Sequence, residues 1–166
     1  LFVTVCVCAL LALGCADNKP NNNNTKKNGE NGENGENGKN GKSENTVVLL
    51  ETTYGNIKIK LYDDLDITAG NFKKLVEKKF YDGVTFHRVI NGFMIQGGCP
   101  EGTGRGGPGY KIKDQFRKNN KNNRGTISMA NAGANTGGSQ FFINLVNNNY
   151  LDAKHPVFGE VIEGMD

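Results

Sequence analysis

Tryptophan is absent from this 166-residue chain, and histidine occurs only twice. No apolar run reaches the roughly 18 residues of an ordinary membrane span. Charge of one sign is not in excess: 20 Lys and Arg stand against 17 Asp and Glu, a net charge of +3. That balance falls short of the basic clustering of a nucleic-acid binder. His87 and His155 are 68 positions apart and no C-x-x-C occurs, so no paired metal-ligand spacing exists and no metal is expected. Three of the four cysteines, Cys6, Cys8 and Cys15, lie near the start, leaving Cys99 with no partner for an internal disulfide once that start is removed. Glycine, by contrast, is abundant at 23 residues. That is about twice its usual share and points to loops and tight turns, away from a helix bundle. The apolar share is 36%, which becomes about 47% when Gly is counted and Tyr left out, enough for the core of one ordinary domain.

Three unlike segments make up the chain. Leu1 to Cys15 is almost wholly apolar and fits the apolar region of an export signal. It closes on Leu11-Ala12-Leu13-Gly14-Cys15, which resembles a bacterial lipoprotein signal in which the Cys is acylated. Ala12 departs from the large apolar residue usual three places before that Cys. An ordinary cleaved signal, or an uncleaved anchor or buried segment, are the alternatives. Neither Met nor a basic start precedes it, so the natural chain is expected to begin earlier. Residues 16–45 hold 11 Asn and 5 Gly among 30, with Asn-Gly-Glu three times from Asn28 and then Asn-Gly-Lys twice. Without a large apolar side chain nothing offsets the entropy of ordering, so a flexible tether is expected. Gly41-Lys42-Ser43 fails as a phosphate loop because Glu36 stands where that motif needs Gly.

Residues 46–166 carry the fold. Val47 to Thr52 reads as a strand, and Ile57 to Leu61 alternates strictly, as a half-buried strand does. Thr68 is a candidate cap for a helix to about Lys79, with Phe72, Leu75 and Val76 on its inner face. Short β-leaning pieces follow at 85–89, 93–96, 126–129, 141–145 and 157–161, between Gly- and Asn-rich loops. Many short strands with one helix predict a mainly β barrel or sandwich. Lys118, Lys121 and Arg124 read as a solvated loop.

Local motifs give little chemistry by themselves. Ser139 lies in Gly-Gly-Ser-Gln-Phe, which is not a G-x-S-x-G elbow. Residues 102–107 satisfy G-x-G-x-x-G, yet Pro108-Gly109 follows where a dinucleotide fold needs a helix. The informative stretches are F-H-R-V-I at 86–90, F-M-I-Q-G-G at 93–98, G-T-G-R-G-G-P-G-Y at 102–110, M-A-N-A-G at 129–133, G-S-Q-F-F-I at 138–143 and L-D-A-K-H-P-V-F-G at 151–159. Together, in this order and with these gaps, they resemble the cyclophilin family of peptidyl-prolyl cis/trans isomerases over essentially all of residues 47–166.

The resemblance implies a closed antiparallel β-barrel of eight strands with capping helices, of which the second helix and last strand are missing here. Residues 46–166 are therefore expected to be a C-terminally incomplete domain that folds poorly alone. It also implies an enzyme of X-Pro bond isomerisation that needs no cofactor. Arg88 takes the catalytic arginine position, with Phe93, Gln96 and His155 beside it. Met94, Phe142 and Leu151 match the proline pocket, which Phe86 supports from beneath; Ala130, Asn131 and Gln140 match positions contacting the peptide backbone or orienting the arginine. Tyr150 stands where cyclosporin-sensitive members have Trp, so weakened drug binding is expected. The expected partners are proline-containing folding clients and, through a lipid on Cys15, a bacterial envelope membrane. No nucleic acid is expected, and the protein is expected to be an exported monomer.

Overall fold

The computed structural model describes residues 4–8 and 46–166. The expected tether and Cys15 lie outside these residues. Nine strands form one antiparallel sheet: β1 Thr4–Cys8, β2 Val47–Thr52, β3 Gly55–Leu61, β4 Val84–Thr85, β5 Arg88–Ile90, β6 Met94–Gly97, β7 Thr126–Met129, β8 Phe141–Asn144 and β9 Val157–Glu163. Their order across the sheet is β4-β1-β2-β3-β9-β7-β8-β6-β5. The two ends of the sheet, β4 and β5, are thus neighbours in the chain, joined through Phe86-His87 rather than by a ladder. This is a curled antiparallel sheet of the expected mainly β class, with nine strands among the described residues where the resemblance implied an eight-stranded barrel lacking its last strand here. The ninth, β1, comes from the apolar N-terminal segment and lies between β2 and β4.

The run expected as one strand from Thr85 to Val89 is two short ones. Phe86 lies at the break, between the two pairings, with its ring buried and edge-on to Phe141 at 6.0 Å.

The one α-helix among the described residues, α1 (Thr68–Glu77), packs Phe72, Leu75 and Val76 against the sheet, and each contributes about 1.5–3 kcal/mol by burial. Phe72 stands at the centre of an aromatic cluster, 5.1 Å from Tyr81, 5.3 Å from Phe141 and 5.2 Å from Phe158. The start of α1 corrects the sequence reading. Thr68 lies inside the helix, with its hydroxyl buried and unpartnered, and Ile67 is the cap residue. Gln115 does the capping from a distant loop: its Oε1 accepts the N–H groups of Ile67 at 2.9 Å and Thr68 at 3.3 Å, while its Nε2 donates to Asp66 at 2.8 Å. A side chain 48 positions away leaves no local capping pattern to read.

Strand alternation separates two faces. Ile95, Ile127, Met129, Phe141 and Ile143 join the main core. Ladder partners share a face, so Arg88 opposite Gln96, Gln96 opposite Phe142 and Phe142 opposite Ser128 form a row on the other face. Met94 and Phe142 are also buried on that face, outside the core cluster. A register slip of one residue would send Arg88 inward.

Candidate functional site

Arg88 projects from the edge strand β5 and is exposed, as an arginine serving a ligand must be. Its Nη1 donates to Gln96 Oε1 at 3.4 Å, and its guanidinium carbon lies 6.0 Å from the centre of the Phe93 ring. Gln96 is fixed in turn, since its Nε2 donates to Gln140 Oε1 at 2.9 Å. Gln140 Nε2 then donates to the carbonyls of Gly104 at 2.9 Å and Gly106 at 2.8 Å. Two amides thus tie the arginine to the glycine-rich loop, and each has one orientation because its other end is committed.

That loop wraps Cys99. The Gly106 N–H donates to Cys99 Sγ at 3.2 Å. Burial alone would raise the thiol pKa, but backbone N–H groups of Gly106, Glu101, Gly104 and Thr103 outweigh it and hold the value below the ordinary thiol range. Gly98 lets the chain enter the loop: its φ is +83°, and an added Cβ would collide with the Ser139 carbonyl. Next to the arginine, His87 has a lowered pKa; burial disfavours its charged form, the Thr85 backbone partly offsets this, and the Arg88 charge adds to the lowering.

The apolar walls come from three places. Met94 and Phe142 form a buried floor, and half-buried Phe93 follows the turn after β5. A 3-10 turn at Asn149–Leu151 brings up half-buried Leu151 and Tyr150; the Tyr150 ring is 70% exposed and lies nearly parallel to Phe93 at 6.3 Å. His155 stands edge-on to Phe142 at 5.3 Å, and its Nδ1 is 3.0 Å from the Met129 carbonyl. A carbonyl can only accept, so the proton is on Nδ1. Asn131 Nδ2 donates to the Lys154 carbonyl at 2.8 Å, tying the segment after β7 to the one bearing His155. Beside these walls a cleft of about 500 Å³ is lined by Gln96, Ala130, Asn131 and Gln140, together with the glycine-rich loop. Phe86 lies beneath, in the core. Of the candidate site residues, all but Cys15 fall among the described residues, and Phe86 differs from the rest in belonging to the main core.

Sequence reasoning missed a layer under the walls. Asn122, Ser128, Asn144 and Asn148 are buried and bonded to one another, with Asp152 at one end. The usable signal was polar side chains inside apolar strands: Ser128 between Ile127 and Met129, and Asn144 closing Phe141-Phe142-Ile143. The loop cations are mostly engaged, Lys121 with Asp152 at 3.0 Å and Arg124 with the Met165 carbonyl at 3.3 Å.

The site thus sets an exposed arginine at the edge of a curled antiparallel sheet against the Phe93 ring, beside a buried apolar floor of Met94 and Phe142. Known proteins resemble this chain in sequence and fold. Residues 47–166 match the family model described as "Cyclophilin type peptidyl-prolyl cis-trans isomerase/CLD". A peptidyl-prolyl cis-trans isomerase of Synechococcus elongatus is 54% identical over 116 residues, covering 69% of this chain and 79% of that protein. One from Helicobacter pylori is 52% identical over 114 residues, 68% of this chain and 70% of the relative. A cyclophilin type isomerase of Cryptosporidium parvum, solved also in the presence of the dipeptide Ala-Pro, has a TM-score of 0.68 at 37% identity, covering 71% of this chain and 78% of that one for the structure without the dipeptide. The chain belongs to the cyclophilin-type peptidyl-prolyl cis-trans isomerase family, a family of enzymes.

Proposed function

We propose that this protein accelerates rotation about X-Pro bonds in folding polypeptides by directing the Arg88 guanidinium at the twisted amide. The X-Pro amide resists rotation by about 18–20 kcal/mol because conjugation stiffens it. Conjugation is lost halfway through the turn, and the proline nitrogen regains a lone pair that accepts a hydrogen bond. A permanent cation placed there binds the twisted form more strongly than either planar isomer, which is what lowers a barrier. A charge-assisted hydrogen bond nets about 1.5–3 kcal/mol, a factor of roughly 10–100 in rate. Exclusion of water by Phe93, Met94, Phe142 and Leu151, and hold on the peptide backbone by Gln96, Ala130, Asn131 and Gln140, supply the rest. No proton moves and no covalent intermediate forms. The relative solved with Ala-Pro supports proline peptides as the substrate class.

The observation that carries the reading is Arg88, held by Gln96 and facing Phe93, on the same sheet face as Met94 and Phe142. Arg88→Ala is expected to lower kcat/KM about 10²–10³-fold in a protease-coupled isomerisation assay, with peptide binding largely kept. A loss of less than about threefold would remove Arg88 from the mechanism.

The reading extends to where the enzyme works: exported and lipid-anchored through Cys15 at a bacterial envelope, as a monomer acting on proline-containing clients. The apolar Leu1 to Cys15 run and the Asn- and Gly-rich segment behind it support this, and processing at Cys15 would remove β1 from between β2 and β4.

A further inference from the structure

Phe93 and His155 belong to two walls of the candidate site, 62 positions apart in the chain, and both backbone carbonyls end on the same buried chain of amides. Asn148 Nδ2 donates to the Phe93 carbonyl at 3.0 Å and to Asn144 Oδ1 at 2.9 Å. Asn144 Nδ2 donates to Thr126 Oγ1 at 2.9 Å and reaches Asn122 Oδ1 at 3.3 Å. Asn122 Nδ2 reaches the His155 carbonyl at 3.3 Å. Ser128 and Asp152 complete the hub: the Ser128 hydroxyl donates to Asn122 Oδ1 at 2.7 Å, and Asp152 Oδ1 accepts the Asn122 N–H at 2.7 Å.

Asn122 and Asn144 are 0% exposed and Asn148 2%, so none of the three can touch a bound peptide. Buried amides are costly unless every end is paired, and a fully paired set has one geometry. A hydrophobic floor would support the walls equally well but would let them slide. The 3-10 turn with Tyr150 and Leu151 also starts from Asn148, whose carbonyl accepts the Leu151 N–H at 2.9 Å.

We propose that Asn122, Asn144 and Asn148 are positioning residues that fix the separation of the two pocket walls, acting on catalysis through Phe93, Leu151 and His155. The inference rests on the isomerase reading of the site. Its consequence is specific. Loosening the amide chain misplaces the walls around the twisted proline, so turnover falls while the half-buried backbone-holding groups, which lie outside that chain, and with them KM, are left in place.

The test uses the full chain, with kcat and KM measured separately by NMR exchange on a proline tetrapeptide, and urea unfolding run alongside. Asn148→Ala is expected to lower kcat about tenfold with KM within about twofold. It is also expected to shift the ring signals of His155, to which Asn148 makes no direct bond. Asn119→Ala, at an exposed position of the loop before Asn122, leaves both readouts unchanged. A folded Asn148→Ala with wild-type kcat, or with unmoved His155 signals, overturns the proposal. If that variant does not fold, Thr126→Val decides in its place: it removes the hydroxyl holding Asn144 at little change in shape, with an expected kcat loss of about threefold and the same His155 shift. An unmodified chain without isomerase activity would remove the isomerase reading itself, and the His155 signals would then still decide whether the walls are coupled.

Discussion

Asp152 shows how one side chain near the pocket couples folding to pH. Its Oδ2 pairs with Lys121 Nζ at 3.0 Å and its Oδ1 accepts the Asn122 N–H at 2.7 Å. Burial by itself would raise its pKa, but the Asn122 donors and Lys121 outweigh that and hold it below the ordinary 3.8. With the folded-state value below the unfolded one, the stabilisation is complete above pH 3.8 and is lost as pH falls through the lower, folded-state value. The urea midpoint of the wild type is therefore expected to fall more steeply than that of Asp152→Asn below pH 3.8. Parallel profiles would show that the carboxylate contributes nothing. Tyr150 makes a different point. Its ring is largely exposed and can donate a hydrogen bond only from the hydroxyl at its far end, where an indole would donate from its flank. Weak inhibition by cyclosporin is expected, strengthened in Tyr150→Trp; nanomolar inhibition of the unaltered protein would contradict this.

Elements in this fold are held at their ends by other elements. Helix α1 begins without a local cap, and Gln115 serves its first N–H groups from across the molecule. Gln115→Ala is expected to cost about 1 kcal/mol, read as a lowered urea midpoint with an unchanged slope. No change would mean that water satisfies those groups equally well. The strands show the same dependence. The β5–β6 ladder sets Arg88 opposite Gln96, and β6–β8 sets Gln96 opposite Phe142, so the site is built by pairing. The glycine-rich loop after β6 is drawn back onto this row by Gln140 and closed around the Cys99 sulfur.

Across the whole molecule, the N-terminal segment stands apart from residues 46–166 in composition, and the proposed lipid anchor on Cys15 would set where the protein works. Expressed in a bacterial host, the protein is expected to sediment with membranes, and Cys15→Ser is expected to move it to the soluble fraction. An unchanged distribution would remove the lipid anchor. The sequence alone specified most of the elements and named the residues of the candidate site. Strict alternation marked Ile57 to Leu61, and linked motifs marked Arg88, Gln96, Phe142 and His155, because periodicity and motif order are local properties of a chain. Tertiary structure decided three things: that one expected strand divides in two at Phe86, that Gln115 rather than Thr68 caps α1, and that scattered asparagines meet beneath the pocket. Each depends on a partner far along the sequence, and the preference of a buried polar group for a donor or acceptor does not say which distant residue will supply it.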